Sequence, residues 1–420
     1  MKKIVYIGGV SDSSLERIRE YISEKNKKWE IVLLQEPESI AKKETVYLDF
    51  SDESSLKKWV DANGKDILCV SARGEKNIPL FQKIIPFLPE NVLVPSVDAL
   101  QKSTEKTLMR KAFRKSDPSI TPKFKIIKNL DEDFDVKSIM KNLQFPVIVK
   151  PSGLAASLLI QSAHYPEELE EILKKMKKKI SSVYREQKGR GTPAVLVEEL
   201  LEGTIYSVDA YVNNLGEISF TPFVKYKTSA QKGFDDFFLY ERLAPAKLSK
   251  EKIAKAQIVA TKGVHALGLR NTTTHIELVI TENGDWKIIE IGPRMGGNRE
   301  TLYEKCYGIN HTLNDLLIRM PNKKPVIKEK VLGYLSTIYF YPKKEGFIKG
   351  IKGVKKVKKL TSYLESIQHL KKGGKSLYAK NGGSSVLKVT LFNTNKEQFI
   401  EDKRKLEKMI HIETKTRNLK

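Results

Sequence analysis

The chain has 420 residues, 40% of them hydrophobic and 30% charged, and 75 Lys and Arg stand against 51 Asp and Glu for a formal net charge of +24. That length accommodates two or three domains, each with its own core, and the composition is that of a soluble globular protein. No apolar run approaches the ~20 residues of a membrane-spanning helix, so no membrane partner is expected.

The stretch IVYIGGV after Met1-Lys2-Lys3 is too short for a signal peptide and runs into Ser11-Asp12-Ser13-Ser14; it reads as a first strand and its turn. Ser11 caps a helical pattern through Lys25. Glu30 to Leu34, Thr45 to Leu48 and Asp66 to Val70 read as strands, and Ser51-Asp52-Glu53 opens another helix. This alternation predicts a parallel-sheet α/β domain over residues 1–94. Gly8-Gly9 lacks the spacing of a dinucleotide fingerprint and reads as a βα turn. Cys69 and Cys306 lie in apolar or aromatic surroundings, as free thiols in a reducing cytoplasm do.

Pro95 to Lys115 reads as one helix, with Ser96 and Asp98 as cap candidates, holding Lys102, Lys106, Arg110 and Lys111. The run FPVIVKPSG from Phe145 is β-rich and ends in Lys150; a small-residue loop follows, Ser152-Gly153-Leu154-Ala155-Ala156-Ser157. Small residues let backbone N–H groups approach a phosphate, and a neighbouring lysine supplies charge. The lysine precedes the glycine, so this is not a Walker loop, and an ordinary turn is the alternative. Pro166 opens a helix carrying Lys174 to Lys179, a solvated face. A strand from Ala194 leaves through Glu198, Glu199, Glu202 and Gly203. Tyr206 to Val212 and Glu217 to Val224 read as an antiparallel pair. Phe234 to Phe238 is a candidate lid, or a surface loop with anchoring aromatics. Ser249 caps a helix to Leu267, which Gly268 stops.

Asn271 to Arg299 is the most informative stretch. Alternation from His275 to Ile280 and an apolar run from Trp286 flank Glu282-Asn283-Gly284-Asp285, a strong hairpin signal. A symmetric count sets Glu282 opposite Asp285 and Glu277 opposite Glu290. Like charges paired across a ladder are destabilising, so a cation between them is expected. Mg²⁺ suits the position, because it takes one or two carboxylates plus substrate phosphates. Arg294 and Arg299 follow in a glycine-broken loop where a phosphate could be met. The alternative is an exposed hairpin whose acids face water or a lysine.

A helical stretch runs on to Met320, and residues 326–420 read as a small α+β domain with β-like runs at Val331 to Tyr341 and Ser384 to Phe392. From Asn322 to Lys420 there are 25 Lys and Arg against 8 Asp and Glu. Such a segment could meet nucleic acid, an acidic peptide or anionic lipid. Only two of the 25 are arginine and the aromatics do not interleave with the lysines, so a solvated lysine-rich face is favoured over nucleic acid.

The order of these motifs resembles the ATP-grasp superfamily, and within it the carboxylate–amine ligases related to bacterial L-amino acid ligases. The likeness runs from Ser96 to Met320. It implies a pre-ATP-grasp α/β domain over 1–94, a small ATP-grasp subdomain with linker helix over 95–199, a large subdomain with the metal site over 200–321, and the α+β domain over 326–420. Lys106 resembles the first phosphate-contacting lysine, and Lys150 the second. Ser152, Gly153 and Ser157 fall in the flap over the phosphates, and Ala155 and Ala156 reduce its hydroxyl content. Glu198, Glu199 and Leu201 fall in the hinge whose backbone reads adenine. Ile205 stands where an acidic ribose ligand is usual.

Glu277 and Glu290 match the metal-binding acids for Mg²⁺ or Mn²⁺. Gly292 stands where asparagine is usual, leaving Glu290 alone or Asn298 to serve the second metal. Arg294 matches the arginine that holds the carboxylate or stabilises the tetrahedral oxyanion. His275 shares a face with Glu277 and reads as a substrate contact or a structural histidine.

The resemblance implies ATP-dependent activation of a small-molecule carboxylate as an acyl phosphate, then attack by an amine with release of ADP and phosphate. Ligases of this type often pair as homodimers. The alternatives are a different acceptor, bicarbonate or a thiol, or a nucleotide-dependent scaffold whose basic C-terminal domain binds a polyanion.

Overall fold

The computed structural model describes residues 1–128, 135–154 and 157–416. Lys2–Ile7 (β1), Trp29–Gln35 (β2), Thr45–Tyr47 (β3) and Ile67–Ala72 (β4) pair in parallel in the order β3-β2-β1-β4. Near-continuous apolar runs give β1, β2 and β4 burial on both faces, as parallel sheets require, while the edge strand β3 is largely exposed. One face meets Glu53–Asn63 (α2) and Ile78–Ile84 (α3) through Val5, Ile7, Val32 and Leu34. The other, with Ile4, Tyr6 and Leu33, meets Asp12–Glu24 (α1). Ser11 and Asp52 accept the backbone N–H groups of Ser14 and Ser54, which starts α1 and α2.

The helix expected from Pro95 to Lys115 is two helices, Val97–Thr104 (α4) and Lys106–Ser116 (α5). Glu105 is extended between them (φ −108°, ψ 110°). The loop after Lys150 explains the break: Lys106 N–H donates to the Ser152 carbonyl and Thr107 N–H to the Ser152 hydroxyl. Lys106 therefore opens α5 instead of lying mid-helix.

Phe124–Ile127 (β5), Val147–Pro151 (β6), Gln161–Ala163 (β7) and Val195–Glu199 (β8) form an antiparallel sheet in the order β5-β8-β6-β7. Val136–Met140 (α6) and Pro166–Glu186 (α7) cover it, burying Leu169, Leu173, Met176 and Ile180 against Val147, Val149, Val195 and Val197.

The largest sheet has nine strands. Gly203–Val212 (β9), Ile218–Phe220 (β10), Val224–Thr228 (β11), Leu239–Ala244 (β12), Thr272–Thr281 (β13) and Trp286–Gly292 (β14) belong to it. Lys250–Leu267 (α8) packs beneath, close enough that a Cβ on Gly263 would stand 2.3 Å from Ile288 Cδ1. Arg299–Tyr307 (α9) and His311–Leu317 (α10) follow, and Leu316, Leu317 and Met320 join the α1 face of the first sheet.

The C-terminal α+β portion is built onto this same sheet. Tyr334–Phe340 (β15) pairs with β12; Gly346–Lys352 (β16) leads through Val354–Val357 (α11) to Tyr363–Gln368 (β17), Lys375–Ser376 (β18) and Leu387–Asn393 (β19). The strand order is β14-β13-β9-β11-β12-β15-β19-β17, with β10 on β9. Lys396–Met409 (α12) covers β15 and β19, and His411–Lys415 (β20) completes a separate sheet β18-β16-β20. The segment Phe234 to Phe238 is anchored here. Phe238 stacks on Tyr341 at 3.7 Å between centroids, and Asp236 accepts the Lys380 N–H. Among the described residues no helix is long and apolar enough to cross a membrane.

Candidate active site

Glu277 pairs directly with Glu290, by a different route from the symmetric count. The connection has three residues: Thr281 N–H donates to the Asp285 carbonyl, Gly284 N–H to the Thr281 carbonyl, and Gly284 has φ +85°. Asp285 therefore faces Thr281 and not Glu282. Ile280 then pairs with Trp286 and Leu278 with Ile288, one residue out of the symmetric register. A bulge at Ile289 absorbs the difference and returns Glu290 to the position opposite Glu277. Glu277 lies 3.3 Å from His275 Nε2, and Glu290 lies 3.5 Å from Lys106 Nζ. Burial would raise the Glu277 carboxyl, but the hydrogen bond and charge of His275, with Arg242 and Arg294, hold it below the usual range.

Lys150, at the end of β6, is buried with its Nζ 2.5 Å from Glu198 Oε2. Burial pushes Lys150 down to about 8 against the opposing charge of Glu198. The Glu198 carboxylate, also buried, accepts Arg110 Nε at 2.7 Å and Nη2 at 3.3 Å. That side chain is committed to the interior, so only the backbone here can face a ligand. Glu199 and Leu200 N–H groups donate to the Lys123 and Pro146 carbonyls, and Leu201 is half-buried at the crossing to β9.

The loop after β6 reaches the wall of the larger cavity at Gly153, with part of its hydrogen bonding already taken up within the protein. The Ser152 hydroxyl is held by Thr107, and Gly153 N–H donates to Tyr184 Oη at 2.7 Å. Glycine is required at 153 because a Cβ would stand 1.9 Å from the Arg190 carbonyl oxygen. Ser157 takes φ +60°, and just beyond it Leu159 N–H donates to the Lys380 carbonyl. Ala155 and Ala156 lie outside the described residues.

Arg294 Nε donates to Glu75 Oε2 at 2.7 Å, and Arg190 Nη1 to Glu75 Oε1 at 2.5 Å. One carboxylate just beyond β4 thus ties Arg190, ahead of β8, to Arg294, just after β14. Burial would raise it, but the two guanidiniums hold Glu75 down at about 2. Asn298 is an exposed left-handed residue before α9 and donates to Tyr339 Oη. Arg299 is fully buried, donating to Ser207 and Tyr226, and also contributes to the wall of the cavity that holds Glu277 and Arg294. His275 Nδ1 donates to Asp209 Oδ1 at 2.6 Å, and Asp209 Oδ2 also accepts from His311 Nε2 and the Gly296 N–H. Burial disfavours its cation, but Tyr226, Asp209 and Glu277 outweigh that and raise His275 to about 9.

Two cavities meet at Glu75. One of about 1100 Å³ is lined by Gly9, Lys42, Lys106, Gly153, Arg190 and Glu290. The other, of about 540 Å³, is lined by Arg73, Arg242, His275, Glu277, Arg294 and Asn298. Asn298 therefore shares its cavity with Glu277 and not with Glu290. Arg242 donates to Tyr339 Oη, and its buried Nε has no hydrogen-bond partner among the described residues. Glu75, Arg190 and Arg242 escaped the sequence reading. Glu75 follows the C-terminal end of β4, where α/β sheets bind ligands, and that position was its one available signal.

Among the described residues no three His, Cys, Asp or Glu gather as a metal site. Two carboxylates alone suit a hard divalent ion that completes its shell with phosphate oxygens. Both cysteines are buried and pushed up to about 12 by burial, which leaves them unreactive.

Residues 143–302 match the ATP-grasp domain family. The chain is 24% identical over 261 residues to the alanine–anticapsin ligase of Bacillus subtilis (strain 168), covering 59% of this chain and 54% of that protein. It is 27% identical over 223 residues to the D-alanine–D-alanine ligase of Pelagibacter ubique (strain HTCC1062), covering 52% and 66%. The chain spans about half to two-thirds of the length of these relatives. Its fold is similar to that of the L-amino acid ligase from Bacillus licheniformis, with TM-score 0.73 and 19% identity over 99% of each chain. N5-carboxyaminoimidazole ribonucleotide synthetase from Thermotoga maritima gives TM-score 0.66 and 17% identity, covering 99% and 100%.

Proposed function

We propose, from the premise that residues 143–302 are an ATP-grasp domain, that this chain is an ATP-dependent ligase joining a carboxylate to an amine. The carboxylate attacks the γ-phosphoryl of ATP, forming an acyl phosphate and ADP; the amine then attacks the acyl carbon and phosphate leaves. The observation that carries this reading is the cross-strand Glu277–Glu290 pair, with Glu290 beside Lys106 in the wall of the larger cavity and Glu277 in that of the smaller.

Phosphoryl transfer needs mainly positioning and charge compensation from the protein. Lys106 and Lys150 supply cations on the phosphate side. Glu277 and Glu290 would hold Mg²⁺ or Mn²⁺, which neutralises the phosphates when bound. Arg294, fixed by Glu75, faces the reacting carboxylate, and Arg242 lines the same cavity. Mixed arginines and acids around that cavity suit a zwitterionic substrate, an amino acid or small peptide. We carry a homodimer as part of the proposal, to be checked by light scattering.

The test is incubation with Mg-ATP and an amino-acid panel, following ADP release and identifying the coupled product by mass. An amide product with stoichiometric ADP is expected. ADP release that depends on bicarbonate or a thiol would transfer the reading to that acceptor, and no ADP release with any pair would remove it.

A further inference from the structure

Arg110 lies one turn along α5 from Lys106, a spacing that keeps both on one helix face. It is 1% exposed, yet it lines neither of the two cavities that meet at Glu75 and the ligase reading gives it no task. Its Nε and Nη2 fork onto the two oxygens of Glu198, whose Oε2 holds Lys150. The same Nη2 donates at 2.7 Å to the carbonyl of Ile289, the bulge residue next to Glu290. A bulge re-aims the side chains beside it and frees a backbone group from the ladder. Here that group is held by a guanidinium instead of by a neighbouring strand.

We propose that Arg110 is a positioning residue that locks the β14 bulge and so aims Glu290 at the metal, in one geometry with Lys150. One planar cation thereby couples the phosphate-facing lysine of the small sheet to the metal-facing acid of the large sheet. Lysine cannot replace it, because a point charge with no fork cannot hold Glu198 and the Ile289 carbonyl together. This inference rests on the metal-and-phosphate site of the ligase reading.

The test counts Mn²⁺ bound to the ADP-saturated full-length protein by electron paramagnetic resonance, with thermal melts read by circular dichroism. Wild type is expected to take up Mn²⁺ only with ADP. Arg110→Lys should stay folded and bind Mn²⁺ on the order of 10–100-fold more weakly, the range for lost outer-shell support of a metal ligand. In a Glu290→Gln background, Arg110→Lys should cost little further, because its effect runs through Glu290. Arg110→Gln carries the same cycle should lysine disturb the fold.

Mn²⁺ binding within threefold of wild type in a folded Arg110 variant overturns the inference. So does a loss of equal size in the Glu290→Gln background. Failure of both Arg110 variants to fold assigns the residue a structural role and overturns it as well. Absence of Mn²⁺ uptake by the wild-type ADP complex would instead overturn the ligase site and this inference together.

Discussion

The β13–β14 hairpin and the loop after β6 both face the larger cavity, but they are built from different information. In the hairpin, side-chain alternation and one Asn-Gly turn set the faces, and the partners lie within about twenty residues. In the loop, the Ser152 hydroxyl and the Gly153 and Leu159 N–H groups are used by distant residues: Thr107, Tyr184 and Lys380. Local pattern tells which way a residue points. It does not tell whether its donors are already engaged.

That contrast can be broken from either side. The largest effect is expected at the hairpin, where Glu277→Gln or Glu290→Gln should lower kcat on the order of 10²–10³-fold with the melting temperature retained. Steady-state ADP release measures it. In the loop, Gly153→Ala must push back the Arg190 carbonyl, and overpacking of this kind costs about 1–3 kcal/mol, read by denaturant titration.

Glu75→Gln should come next, destabilising by about 1–2 kcal/mol because Arg190 and Arg294 lose their shared anion. Its pH signature has a defined sign. The folded Glu75 value of about 2 lies below the ordinary carboxylate value, so the stabilisation is present above about pH 4.5 and disappears as pH falls towards 2. Acid titration of wild type against Glu75→Gln should show the two stabilities converging.

Ser152→Ala should be mild, about 1 kcal/mol for a lost helix-start acceptor, with KM for ATP changed less than tenfold. A large fall in kcat at unchanged stability would show that this hydroxyl serves the nucleotide after all.

Lys150 carries a pH signature of its own. Its folded value of about 8 lies below the ordinary lysine value, so the unfolded chain binds more protons between about pH 8 and 10.5 and stability rises with pH across that window. Over the same range the free enzyme loses the Lys150 charge, and KM for ATP should rise above pH 8. Lys150→Arg, always protonated, should flatten that limb.

Much of the fold was legible. The Ser249–Gly268 helix, the β9–β10 pair and the first parallel sheet follow from caps, turns and apolar runs. The facing of Glu277 and Glu290 was legible too, although the turn and the bulge that produce it compensate one another and neither shows in periodicity. The break at Glu105 was hidden because Ser152, 47 positions later, supplies its reason. Glu75, Arg110 and Arg242 were hidden because each acts on residues roughly a hundred or more positions away in the chain. The C-terminal strands were half seen: β15 and β19 have apolar runs, but nothing local says they extend the sheet that carries the acids.

That last arrangement has a consequence for synthesis. The exposed edge of β12 waits for β15, about ninety residues later, and the loop after β6 waits for Lys380. A ribosome-bound intermediate ending before these would display an open edge and an unanchored loop beside the proposed site. Emerging polypeptides should therefore hydrolyse no ATP until the tail is threaded in, and edge-seeking chaperones should find them during that interval.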